Sequence, residues 1–136
     1  MNRMENITNG IKIVIAAIGG WIGWFLGGID GGMIALICFM SVDVLTGIFK
    51  GIKNKKLSSH VSYEGLFKKV VILLLVGVGS ITDRFLIGNG ETVRTAVIFF
   101  YIANEGISLL ENTAELGLPY PQKLKDVLAQ LSDDNK

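Results

Sequence analysis

The chain has 136 residues, half of them hydrophobic, with 13 basic and 12 acidic side chains and a formal net charge of +1. That length suits one domain, and the balanced charge offers no basic face for a polyanion, so no nucleic-acid partner is expected. The charged residues, 18% of the total, fall between long uncharged runs, which argues against a soluble helical bundle, whose helices carry polar stripes.

A helix crosses a bilayer with about 20 apolar residues, because each residue rises ~1.5 Å through a hydrocarbon core ~30 Å thick. Backbone groups in lipid must be satisfied internally, so apolar runs of this length are helices. Residues 13–29 are uncharged and bracketed by Lys12 and Asp30, which predicts a first span over about 11–29. After Asp30-Gly31-Gly32 a second span covers about 33–49, apolar except for Asp43. A polar connector, 50–69, includes the lone His60, read as a loop residue. The third span, about 70–87, closes on Asp83-Arg84, and the turn Gly88-Asn89-Gly90-Glu91 leads to a fourth over about 95–110. Pro119 and Pro121 then set off a short amphipathic helix whose apolar face is Leu124, Val127, Leu128 and Leu131. The expected fold is all-α: an integral membrane protein with a helical domain at 1–112 and a cytoplasmic or interfacial tail at 113–136. Four spans are preferred, with three as the alternative.

Arg3 and Lys12 ahead of an apolar stretch imitate a secretory signal, but further spans follow instead of a cleavage site, so this segment is read as retained. Orientation follows from lysines and arginines. The connector carries six lysines: Lys50, Lys53, Lys55, Lys56, Lys68 and Lys69. The short turns have only Arg84 and Arg94 at their borders. The connector is therefore expected in the cytoplasm, and four spans place both termini there, in keeping with Lys123 and Lys125 in the tail. Three spans would send the tail outside.

Several features could carry function. Gly19, Gly23, Gly27 and Gly31 recur every four residues, a spacing that lets helix backbones approach closely where packing drives association. Two readings stay open, an oligomerisation face or packing against a neighbouring span. Asp43 sits inside the second span, where an acid costs ~2.5–3.5 kcal/mol on insertion scales. A helix-contact or pore-facing role is expected for it in preference to snorkelling toward Lys50, with Thr46 and Gly47 on the same face. The fourth helix has a polar stripe of Tyr101, Asn104, Glu105, Ser108, Glu111 and Asn112, suited to lining water, to burial among helices, or to the membrane surface. Met4 follows Met1 closely enough to permit a second start that omits Arg3. Cys38 lies in an apolar run and reads as a small hydrophobe. No catalytic arrangement, metal-ligand cluster or cofactor motif is evident, so no enzyme activity, metal or cofactor is expected.

The stretch Ser41-Val-Asp-Val-Leu-Thr-Gly-Ile-Phe-Lys-Gly-Ile-Lys-Asn-Lys-Lys-Leu-Ser-Ser, followed by Gly65 and Lys68-Lys69, resembles the toxin-secretion/phage-lysis holin family. So does Asn104-Glu-Gly-Ile-Ser-Leu-Leu-Glu-Asn112, continued by Leu116-Gly-Leu-Pro-Tyr-Pro121 and Leu124. Asp43, Thr46 and Gly47 match the family's Asp-x-x-Thr-Gly element; Asn104, Glu105 and Glu111 match its Asn-Glu and Glu-Asn element. The resemblance implies a bacteriophage protein that accumulates in the host cytoplasmic membrane as a homo-oligomer in contact with lipid. It then opens lesions abruptly, lysing the cell by releasing an endolysin, or serves toxin secretion, without direct contact with the cargo being required. An antiholin that heteromerises with and delays a holin is both an expected partner type and an alternative reading of the chain. A small ion-conducting channel is the other alternative.

Overall fold

The computed structural model describes residues 2–56, 59–88 and 90–133, with side chains at all of these except 59–62 and 131–133. Met1, Asn89 and the side chains of His60 and Leu131 lie outside the described residues. Regular structure among the described residues is helical: α1 (Arg3–Phe25), α2 (Gly31–Lys53), α3 (Ser59–Ile81), a π-helical turn (Thr82–Ile87) continuing α3, α4 (Thr92–Glu115) and α5 (Gln122–Asp133). Four stretches are long and apolar enough to cross a membrane: Arg3–Phe25, Gly31–Lys53, Tyr63–Ile87 and Thr92–Glu115.

These helices do not follow the limits of the apolar runs, because a helix ends where its backbone can be capped. The first stops at Phe25, short of residue 29, because Gly27 (φ 81°) and Gly28 (φ 95°) turn left-handed. The Gly28 N–H donates to the Gly23 carbonyl at 2.7 Å and the Gly27 N–H to that of Trp24 at 3.2 Å, a double closure that satisfies orphan carbonyls. The end of α4 repeats this closure at Gly117 (φ 90°), and the end of α2 does so at Lys55 (φ 54°). Asp30 starts α2 by accepting the Met33 N–H at 3.0 Å.

The connector is correspondingly shorter than 50–69. Lys50 and Lys53 belong to the last turn of α2, while His60, Lys68 and Lys69 lie within α3. No proline intervenes between Ser59 and the apolar run, and α3 passes through Gly65, so the helix starts well before the lipid-like sequence does. The fourth helix likewise continues to Glu115, five residues beyond the expected limit at 110.

Helices α2, α3 and α4 form the packed body, with Met33, Leu36, Met40, Ile72, Val76 and Ile98 buried between them. α2 and α4 run in the same direction: Asp30 meets Arg94 at one end and Lys53 meets Glu115 at the other. α3 runs opposite to both, with Lys69 near the connector end and Ser80 near the turn end. α1 buries no residue and rests on α3 chiefly through Phe25, whose ring lies over Gly77. Ile13, Val14, Ile15 and Ile18 stand exposed along it, as lipid-facing side chains do. α5 folds back along α4, bringing Leu128 beside Gly106.

Candidate functional site

Two polar clusters interrupt the apolar body, one toward the connector and one at the turn end. In the first, each of the three packed helices supplies a charge. The Lys69 ammonium on α3 donates to Asp43 Oδ2 on α2 at 2.8 Å and to Glu105 Oε2 on α4 at 2.6 Å. The three side chains retain only 15%, 12% and 10% exposure in that order. Asn112 extends the network by donating its Nδ2 to Asp43 Oδ1 at 3.0 Å and to Thr46 Oγ1 at 3.1 Å. The Thr46 hydroxyl in turn bonds back to the Val42 carbonyl at 3.0 Å, leaving its oxygen free to accept. Gly47 lies on the same seam, where a Cβ would stand 3.8 Å from Asn112 Nδ2, an ordinary contact distance.

A cavity of about 540 Å³ opens between α2, α3 and α4 below this cluster. Asp43, Lys69, Ser108 and Asn112 line its inner end, and Lys50, Lys56 and Glu115 lie toward the connector. Glu105 does not line it and sits behind Asp43 and Lys69. The recess is roomy enough for water, which finds polar partners at its inner end among otherwise largely apolar walls.

The second cluster is organised by Arg94, which is 1% exposed. Its Nη1 donates to Asp30 Oδ2 at 2.7 Å and its Nη2 to Asp30 Oδ1 at 3.2 Å, a bidentate pair. Nε donates to the Leu26 carbonyl at 2.7 Å and Nη2 also to that of Gly28 at 2.9 Å. Arg94, with the Met33 amide second, holds the Asp30 carboxyl down to about 2. Asp83, buried in the π-helical turn, accepts the N–H groups of Val93 and Arg94, each at 2.9 Å. It therefore caps α4 from another helix. Arg84 donates to the Trp24 carbonyl and stacks over the Trp24 ring, 4.8 Å from its centre.

The structure thus brings Asp43, Thr46, Gly47, Glu105 and Ser108 to one seam. Asn104 is half-buried on the same helix, whereas Glu111 stands exposed. Lys69, expected in the basic loop, is instead an inward-facing member of the polar cluster. Lys55, Lys56 and Lys68 remain exposed; Lys53 donates to the Glu115 carbonyl at 3.2 Å, and Lys50 approaches the Glu115 carboxylate at 3.6 Å.

The four-residue glycine repeat is not one helical face. Gly19 and Gly23 lie on α1, Gly27 lies in the turn after it, and Gly31 begins α2. A Cβ at Gly19, Gly23 or Gly31 would meet nothing within 4 Å, whereas one at Gly27 would fall 2.6 Å from Arg94 Nε and from Ser80 Oγ. In the sequence Asp30, Asp83 and Arg94 stand as charges at the borders of the apolar runs. The capping pattern Asp30-Gly-Gly was the one local signal that could have singled out the first of them.

The bacteriophage holin family profile matches residues 20–133. A 14.9 kDa protein of Clostridium perfringens, from the nagH 3' region, is 45% identical over 130 residues, 96% of this chain and 98% of its own. A protein of Listeria innocua is 38% identical over 118 residues, covering 87% of this chain and 84% of its own. A probable holin of Bacillus phage phi105 is 36% identical over 94 residues, 69% of each chain. No solved structure matches the chain.

Proposed function

This chain belongs to the bacteriophage holin family, and from that membership we propose that it assembles in the bacterial cytoplasmic membrane and opens lesions that release an endolysin or a toxin. Its four apolar helices fit a multi-pass protein of that membrane. In the proposed orientation the lysine-bearing connector, both termini and α5 face the cytoplasm.

One observation supports the assembly step above the rest. α1 is tethered to the body but not buried in it, and the space beside Gly19 and Gly23 is open. In lipid, close backbone approach at small residues is what joins helices. A second copy is therefore the natural occupant of that face. The packed α2–α3–α4 body keeps its polar clusters hydrogen-bonded inside, which suits harmless accumulation before lesions form.

The test is induced expression beside a cytoplasmic endolysin that lacks an export signal, with membrane potential and turbidity followed together. Sudden depolarisation with immediate lysis, requiring both proteins, is the expected result. Depolarisation without lysis would replace this reading with a small channel, and stable insertion with intact potential would replace it with an antiholin.

A further inference from the structure

The connector-end cluster is unbalanced by one charge. Two carboxyl groups, Asp43 and Glu105, share the single ammonium of Lys69 at 2.8 and 2.6 Å. Asn112 is neutral, as are Thr46 and Ser108. The charged groups of the surrounding elements lie farther out: Lys50 on α2, Glu115 on α4 and Lys56 in the connector are toward the cavity mouth. On α5 the near residue is Leu128, while Lys123 and Asp126 are exposed and Lys125 lies over the Tyr120 ring. α1 packs against α3 away from this level and brings no charge to it.

A net negative charge among apolar helices is strongly disfavoured, and two carboxyl groups held against the same ammonium do not both ionise freely. The partners decide where the neutralising proton goes. Asp43 accepts on both carboxyl oxygens, from Lys69 and from Asn112, and so is built to be the anion. Glu105 has Lys69 as its donor and lies behind Asp43 as seen from the cavity. We infer that Asp43 and Glu105 form a binding site for one exchangeable proton, carried on Glu105 and supplied from the connector-side cavity by way of Asp43.

In the loaded state the cluster is neutral, with Glu105 as a carboxylic acid, Asp43 as a carboxylate and Lys69 as an ammonium. Loss of the proton to cavity water leaves one uncompensated negative charge where α2 and α4 meet. That charge would loosen the seam between them. The assignment concerns the folded body and holds whether or not lesions form.

Infrared spectroscopy of the purified full chain in neutral-lipid nanodiscs tests it, through the carbonyl stretch of protonated carboxyl groups near neutral pH. The wild-type chain should show one such band, sensitive to deuterium exchange. Glu105→Gln should remove it while leaving the helical circular dichroism intact. Lys69→Gln, which withdraws the cation, should recruit a second proton and raise the band about twofold. A wild-type chain without the band, or a band that survives Glu105→Gln, would overturn the assignment. So would a band that is absent in sodium buffer and emerges in choline, because a metal cation would then be the neutralising charge. If Lys69→Gln fails to fold, the wild-type and Glu105→Gln spectra decide the matter.

Discussion

Arg94 and Asp30, 64 positions apart in the chain, close the turn end of the molecule through two parallel hydrogen bonds of 2.7 and 3.2 Å. The same guanidinium holds the carbonyls of Leu26 and Gly28. One side chain of α4 thereby ties the α1–α2 turn to the packed body. A buried arginine with every nitrogen engaged is costly to remove, since its partners are left without donors.

Arg94→Ala should therefore destabilise the fold by about 3 kcal/mol, and Arg94→Lys should restore only a minor part, because an ammonium cannot make the bidentate pair. Thermal or denaturant unfolding of the micelle-embedded chain, followed by circular dichroism, measures both. Equal stability of wild-type and Arg94→Ala chains would show that the turn is held by something other than this side chain.

The Asp30 carboxyl, held at about 2 against an ordinary 3.8, makes stability depend on pH in a defined direction. Between these values the unfolded chain binds more protons than the folded one, so stability rises with pH. The contribution is complete above about 4 and is lost as pH falls through about 2. The effect is modest because the Asp30 side chain is 43% exposed. Unfolding curves taken down this range should show the loss in the wild-type chain and a flatter profile in Asp30→Asn.

Gly27 and Gly28 both have positive φ, but their surroundings differ. Gly27→Ala meets Arg94 Nε and Ser80 Oγ at 2.6 Å, whereas Gly28→Ala meets nothing within 4 Å. The second substitution carries only the backbone penalty, roughly 1 kcal/mol; the first adds a clash inside the polar cluster and should cost at least twice as much. The ranking of their unfolding midpoints tests this, and a reversed order would mean that Arg94 yields without loss.

Gly23→Leu on α1 should leave the folded chain as stable as the wild type, because the space beside that residue is open. It should nonetheless delay or abolish lysis if a second copy occupies that face. Lysis timing at matched expression, set beside the unfolding midpoint of the purified chain, separates assembly from folding. Unchanged timing would remove Gly23 from the assembly surface.

How much of this molecule could be read in advance depends on the environment of each residue. Asp43 and Glu105 stand out in sequence because each interrupts or ends an apolar run, where a charge demands explanation. Lys69 has no such contrast. A lysine at the edge of an apolar run looks the same whether it reaches back to water or turns inward, and only the approach of α2 and α4 selects the second. Arg94 and Asp83 were hidden in the same way beside a short turn.

The apolar runs by themselves determined that this protein is a set of membrane-length helices, because lipid penalises every unsatisfied backbone group and leaves one local solution. They also carried the capping residue Asp30 and the left-handed glycines that let the chain turn. The tertiary structure alone decided that the turn after α1 seats Gly27 against Arg94 and Ser80. It alone decided that α1 stays outside the body and that three distant charges converge at Lys69. Those outcomes are set by which helices touch, and at what depth; local propensity does not encode either.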